Sequence, residues 1–318
     1  ALTWLFEKTE HPVLAALLRI RETKKLATTI EGLLVEIAAD KRIHTHFAQT
    51  VAATGRLSSV GPNLQNIPVR TEEGRKIRDC FIAGEGYDAL LTADYSQIEM
   101  RIMAHLSHDE GLLKAFESGE DLHATVAALV FGVKQADVDP EMRRQIKAMS
   151  YGLAYGLSSY GLAAQLDLTP PAAQDLMDRY FQRFGGIRDY LKTVVEDARK
   201  VGYTETVMGR RRYLPDLMHD NRQRREVAER MALNAPIQGS AADIIKQAML
   251  NVQSALVAGE YTSRLLLQVH DELILEVVTD EIDAVSELVR VQMGSAYPLR
   301  APLDVSVGIG KSWNEAAH

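Results

Sequence analysis

Cysteine is almost absent. Cys80 is the single one among 318 residues, which excludes an internal disulfide and any cysteine-rich metal site and fits a reducing cytoplasm. Long apolar runs are lacking too. No stretch approaches the about 20 residues of a membrane span, and the opening ALTWLFEKTE has none of the basic-then-apolar layout of a secretory signal. The expectation is a cytoplasmic protein without membrane contact. An excess of positive charge is also missing: a formal net charge of -7 argues against a chain that coats nucleic acid nonspecifically. A local basic groove stays compatible with it, because steering depends on where charges lie, and the segment from Arg199 to Arg230 is basic. The first residue is Ala rather than Met, as in a piece of a longer chain. What is present is an ordinary globular composition, 46% hydrophobic and 25% charged, enough for a full core and two or three subdomains.

The stretch LLLQVHDELILEV, Leu265 to Val277, places charge where a hairpin usually has none. Leu265, Leu266, Leu267 and Val269 on one side and Leu273, Ile274, Leu275 and Val277 on the other read as two short strands, apolar on both faces and so largely buried. His270, Asp271 and Glu272 sit at the join. Adjacent carboxylates at the tip of a buried hairpin repel and lose hydration unless a cation or a hydrogen-bond network compensates. Alone, a His-Asp-Glu turn also reads as a solvated loop, since turns favour Asp. A second carboxylate on a second buried strand changes the balance. Ala89 to Ala93 is such a strand and ends at Asp94, followed by YSQIEMR, which starts a helix. Ser96 and Glu99 fit a capping box, and Asp94 would then lie near a positive helix end. That leaves Asp94 without a specific partner. If Asp94 and Asp271 end neighbouring strands, they can hold two divalent cations about 4 Å apart, the arrangement used in phosphoryl transfer. Mg²⁺ suits such a site, since it takes a couple of carboxylates and completes its octahedron with water and phosphate oxygens.

The third informative stretch is PEMRRQIKAMSYGLAYG, Pro140 to Gly156, with Asp139 as helix cap. Arg143, Lys147, Tyr151 and Tyr155 recur every four residues, so at ~100° per residue they share one slowly turning stripe. Two cations followed by two aromatics can hold a triphosphate at one end and stack a base at the other. The plain alternative is a solvated face with a core edge. Against it, Met142, Ile146, Met149 and Leu153 already supply an apolar face. Gly152 and Gly156, each costing ~1 kcal/mol relative to Ala in a helix, suggest close approach of a base pair to the backbone. Earlier, residues 42–51 alternate like a strand, and 54–70 are turn-rich and polar; Arg56 and Arg70 there are either phosphate or groove contacts or exposed loop arginines.

Arg56 in TGRLSS, Asp94 in DYSQIEMR, the R-x3-K-x3-Y-x3-YG helix and QVHDE stand in one order across almost the whole chain. Together they resemble the family A DNA polymerases of the bacterial DNA polymerase I type. The resemblance implies an α+β fold shaped as a right hand: a palm with an antiparallel sheet, mostly helical fingers and the base of a thumb. The divisions would be thumb-base helices over 1–40, palm over 41–104 and 226–318, and fingers over 105–225. It further implies template-directed addition of dNMP to a primer 3'-OH with two Mg²⁺ ions, Mn²⁺ being a possible substitute. Asp94 and Asp271 would hold the metals, with Tyr95 beside them and Glu272 in support. Arg143, Lys147 and His123 would contact the incoming triphosphate, and Lys147 would also protonate the leaving pyrophosphate. Tyr155 would stack at the insertion site, with Gln97 and Tyr151 also lining the nucleotide. Arg56, Arg70, Gln238 and His270 would face the primer end or minor groove of the primer-template DNA, extended by Asn234 and Arg230. Glu99 matches the family's steric gate, which with Tyr155 fills the space of a ribose 2'-OH. Tyr151 stands where many relatives have Phe, which implies comparatively good acceptance of dideoxynucleotides.

The rest adds elements rather than chemistry. Residues 4–38 read as two amphipathic packing helices, 170–201 as two helices around Gly185-Gly186, and YTETVMGRRRYL as a hairpin turning at Gly209. Arg210 to Arg212 are either phosphate contacts or exposed. Pro236 should break the chain before a small-residue helix; 281–296 reads as a helix and 304–310 as a closing strand. His44, His46, His105, His108 and His219 have no metal-ligand spacing. With little of a thumb, a monomer with weak duplex grip and reduced activity is expected, and neither proofreading nor 5'-nuclease activity is assigned. Two alternatives stay open: a single-subunit RNA polymerase, which Glu99 disfavours, and a fragment that binds primer-template without turnover.

Overall fold

A computed structural model describes residues 2–69, 71–119 and 121–317. The chain opens with α1 (Leu2–Thr9) and α2 (Pro12–Leu34), the latter started by Pro12 behind His11, whose ring accepts the Val13 N–H. Both helices form as the apolar spacing predicts, but the expected packing is slight. Neither buries a residue, Trp4 and Ile20 are exposed, and contact with a core runs through Leu26 and Leu33. β1 (His46–Ala48) and β2 (Ser58–Val60) pair antiparallel. The strand expected over 42–51 is thus cut to three residues, because its partner offers three before the turns begin. α3 (Glu72–Asp79) follows, capped by the Thr71 hydroxyl.

β3 (Ala89–Tyr95) then enters the interior and leads into the helical half: α4 (Ile98–Ser107), α5 (Glu110–Glu117), α6 (Leu122–Phe131), α7 (Pro140–Ala154), α8 (Ser159–Leu166), α9 (Pro170–Arg183) and α10 (Gly185–Val201). The hairpin of β4 (Tyr203–Glu205) and β5 (Arg211–Tyr213) turns through Gly209 at φ +79°. α11 (Arg222–Ala258), β6 (Arg264–Val269), β7 (Glu272–Val277), α12 (Ile282–Gly294), β8 (Val305–Gly310) and α13 (Trp313–Ala316) complete the chain.

The strands β6-β7-β3-β8 form one antiparallel sheet. Its two faces bury different cores, following the period of two along each strand. Leu91, Ala93, Leu273, Leu275 and Val277 face the large helical core with α4, α7 and α11. Leu90 and Ile274 face a smaller core with Leu64, Ile77 and Trp313. The double burial expected of the apolar runs is therefore real for β3 and β7.

The break expected at Pro236 does not occur: α11 runs continuously over 37 residues. Proline withholds one N–H from the ladder, and the turn is held from its side. The Ser240 hydroxyl donates to the Pro236 carbonyl at 2.5 Å and accepts the Val207 N–H at 2.9 Å. Buried Ala232, Ala235, Ile237 and Ala241 supply the packing that a helix this long needs.

Candidate active site

β3 carries Asp94 to the same end of the sheet at which the β6–β7 turn presents Asp271. The ladder sets Asp94 opposite Glu272, and the Tyr95 N–H donates to the Asp271 carbonyl at 3.3 Å. The turn is made by His270 in the left-handed region, φ +56°. Asp94 and Glu272 on two hydrogen-bonded strands, and Asp271 in the turn before β7, thus lie near one another, as the pairing of the two apolar runs led one to expect. Lost hydration and then repulsion from Asp271 push Asp94 up to about 6. Desolvation also raises Asp271, against the pull of Arg56. Desolvation, with repulsion from Asp94, takes Glu272 to about 7, although Arg78 opposes it. Among the described residues no three His, Cys, Asp or Glu side chains form a ready-made metal cage. The donor set fits a hard cation held by two carboxylates and completed by substrate and water oxygens. Tyr95 does not turn its side chain to this point; its hydroxyl donates to the Met293 carbonyl at 2.8 Å. Its backbone carbonyl is what it can offer a cation.

Glu99, 6% exposed, stands beside the carboxylates. Arg56 Nη2 donates to its Oε1 at 2.9 Å and the Tyr155 hydroxyl to its Oε2 at 2.8 Å. Burial raises its pKa against both donors. The capping box expected of Ser96 and Glu99 is absent. Glu99 is engaged by Arg56 and Tyr155, Ser96 Oγ meets Ser306 Oγ at 3.2 Å, and the helix starts at Gln97 in the left-handed region. The Gln97 Oε1 is buried without a partner among the described residues.

α7 forms as predicted, with Asp139 capping Met142 and Ile146, Met149 and Leu153 buried. Arg143, Lys147 and Tyr151 lie along it, while Tyr155 is its C-terminal cap rather than a helical residue. Tyr151 is raised by burial and then by Glu99, Asp271 and Asp94, so this stripe ends in the field of the acidic cluster. At the other end Arg143 pairs with Asp121 through Nε at 2.9 Å and Nη2 at 2.8 Å. His123 is buried, its ring 5.9 Å from that of Tyr151, with Nδ1 unpartnered among the described residues. Desolvation and then Arg143 lower it to about 4, which keeps it neutral. The glycines have a reason within the protein itself. A Cβ on Gly152 would lie 2.6 Å from Leu157, and Gly156 has φ +69° with Arg230 and Leu233 3.0 Å from where its Cβ would be. They let the protein fold onto itself.

Arg230, Asn234 and Gln238 follow every four residues on α11. Arg230 borders Gly156, the Asn234 Oδ1 is buried without a partner among the described residues, and Gln238 lies close enough to Tyr155 to hold its hydroxyl's pKa down against burial and Glu99. His270 is lowered by desolvation, then by Arg56 and Arg78. Arg70 lies outside the described residues. Arg210 is neither exposed nor free for phosphate; it is bonded inside the protein. The other basic positions are also largely paired, Arg222 with Glu226 and Arg224 with Asp216. Sequence reasoning missed Arg78, which stacks 4.0 Å over Trp313 beneath Glu272, because a short charged helix gives no sign of which charge turns inward. It also missed Asp121, readable as the cap of α6 but not as the partner of Arg143.

A profile of DNA polymerase family A matches residues 1–315. The chain is 63% identical over its full length to DNA polymerase I of Mycobacterium tuberculosis, of which it covers 35%. It is 48% identical to the thermostable DNA polymerase I of Thermus filiformis, over 96% of this chain and 37% of that one. The chain thus spans about a third of the length of these relatives. A solved structure described as the POL domain of Pol1 from M. smegmatis in complex with DNA primer-template and dNTP superposes with a TM-score of 0.97. It is 63% identical, over 100% of this chain and 56% of that one. No helix among the described residues is long and apolar enough to cross a membrane. On the matched profile, and on relatives identical at nearly two positions in three, the chain belongs to DNA polymerase family A.

Proposed function

We infer that the chain carries out template-directed DNA synthesis, adding dNMP to a primer 3'-OH. The observation that carries this reading is the meeting of the Asp94–Asp271–Glu272 cluster with the Tyr151 end of the α7 stripe. Its division is a palm over 41–104 and 226–318, fingers over 105–225 and the base of a thumb over 1–40. The family is metal-dependent. In this chain Asp94, Asp271 and the Tyr95 carbonyl would hold two Mg²⁺ ions, for which Mn²⁺ could substitute, with Glu272 in support. When bound, the ions would neutralise triphosphate charge and make the primer hydroxyl a better nucleophile.

The side chains do the rest. Arg143 and Lys147 bind triphosphate oxygens; Arg143 exchanges Asp121 for phosphate, a stronger anion for its fork. Neutral His123 donates a hydrogen bond to the same group. Lys147 Nζ gives a proton to the departing pyrophosphate oxygen. Tyr155 stacks on the base pair, and Glu99, held by Arg56 and Tyr155, closes the space next to the sugar C2' so that dNTPs are selected over NTPs. Gln97 and Tyr151 complete the nucleotide pocket. Arg56, Arg70, Arg230, Asn234, Gln238 and His270 face primer-template DNA, and the chain works as a monomer in the cytoplasm. Primer extension with Mg²⁺ tests this. Extension with dNTPs is expected, with near-complete loss in Asp94→Ala and in Asp271→Ala. Equal incorporation of NTPs, or an Asp94→Ala chain as active as the parent, refutes it.

A further inference from the structure

Arg210 lies at the turn of the β4–β5 hairpin, and its guanidinium joins three segments. Nε donates to Asp243 Oδ1 of α11 at 2.8 Å. Nη2 donates to the Gly239 carbonyl at 3.0 Å and to the Thr54 carbonyl at 2.6 Å. Its own N–H is held by the Thr206 hydroxyl at 3.1 Å. The cradle is shaped for a flat fork. A Cβ on Gly55, which has φ +83°, would lie 2.5 Å from Arg210 Cζ, and one on Gly239 2.9 Å from Nη2. The space between the loop and the hairpin is too tight to admit a water molecule, so this is a joint and not a pocket. Thr54 is two residues before Arg56, whose Nη2 meets Glu99, which in turn accepts the Tyr155 hydroxyl. Between β1 and β2 the loop has no regular structure, and an internal turn closes Gly55 N–H on the Ala52 carbonyl.

We propose that Arg210 is a positioning residue for nucleotide selection: it clamps the 52–55 turn to α11 and so sets the reach of Arg56 onto Glu99. This rests on the polymerase reading above. The clamp depends on three directed bonds from one planar group, which an ammonium does not reproduce. Arg210→Lys therefore keeps the charge and loses the joint. Gly55→Ala attacks the same contact from the loop side, where the new methyl displaces the guanidinium.

The test compares the parent, Arg210→Lys, Gly55→Ala, Arg56→Ala and the double variant Arg210→Lys/Arg56→Ala. Single-nucleotide insertion is measured alongside hydrogen exchange of residues 51–57. Both single clamp variants are expected to raise the KM for dNTP about tenfold, to narrow the dNTP/NTP preference, and to exchange faster at 51–57. In the Arg56→Ala background Arg210→Lys adds nothing. Unchanged exchange at 51–57, or losses that multiply in the double variant, overturns the proposal. If the parent shows no insertion at all, the polymerase reading fails, and the exchange measurement alone decides whether Arg210 holds the turn.

Discussion

Glu99 is the position at which geometry and charge make different claims, and two substitutions separate them. Its carboxylate is buried and takes one bond from Arg56 and one from Tyr155. Glu99→Gln keeps the volume and one carbonyl acceptor, whereas Glu99→Ala empties the space and strands both donors. Breaking a fully buried pair from one side costs about 3–5 kcal/mol. Arg56 is 31% exposed, so water can re-solvate it, and the cost of Glu99→Ala to stability should stay near 1–2 kcal/mol. Selection is a separate matter. Forcing an extra hydroxyl against a filled space costs about 1–3 kcal/mol, which corresponds to roughly 5- to 150-fold in relative binding. The dNTP/NTP ratio of kcat/KM should therefore fall by that factor in Glu99→Ala and stay within a few-fold of the parent in Glu99→Gln. The assay is single-nucleotide insertion with each triphosphate opposite one template base, with urea unfolding as the control for stability. If Gln relaxes the ratio as far as Ala does, discrimination is electrostatic and the steric argument is wrong.

Tyr151→Phe removes one hydroxyl from a ring in the field of Glu99, Asp271 and Asp94. It should increase discrimination against dideoxynucleotides by about tenfold, read from termination ratios, and unchanged ratios would remove the hydroxyl from the account. Asp94 and Glu272, raised to about 6 and about 7, bind more protons folded than unfolded. Their contribution to stability is therefore complete below the ordinary carboxylate range and declines as pH rises from about 4 to 7. In EDTA that decline should be shallower for Asp94→Asn than for the parent. Mg²⁺ should flatten it for the parent, and identical Tm profiles with and without Mg²⁺ would argue against a cation at this cluster.

Much of the site was legible because its signals are local and periodic. Apolar runs interrupted by charge marked β3 and the β6–β7 hairpin, and a four-residue spacing marked the face of α7. Asp94, Asp271 and the Arg143 stripe could be named from that alone, and the family motifs supplied Arg56 and Gln238. What failed was inference about partners. Ser96 and Glu99 have the spacing of a capping box, but a tertiary claim on Glu99 by Arg56 and Tyr155 outweighs a local bond. Pro236 is a helix breaker by its backbone chemistry, yet Ser240 and the small-residue packing around it carry α11 through. Gly152 and Gly156 signalled a close approach, and within the chain Leu157, Arg230 and Leu233 are the groups that come close. Arg210 was indistinguishable from Arg211 and Arg212 in sequence, since only the fold decides which of three adjacent arginines meets Asp243.

The two-sided burial of the sheet has a further consequence. A strand that slipped by one residue would turn its whole apolar set over, so with both faces packed the alignment of Asp94 with Glu272 is fixed by the backbone ladder itself. In the proposed function, nucleotide choice hangs by contrast from Glu99 on α4 and Tyr151 and Tyr155 on and after α7, outside that ladder. On that reading the reaction's anchor and the substrate's filter sit on separate mechanical parts, and the filter should be open to retuning while the anchor keeps its alignment.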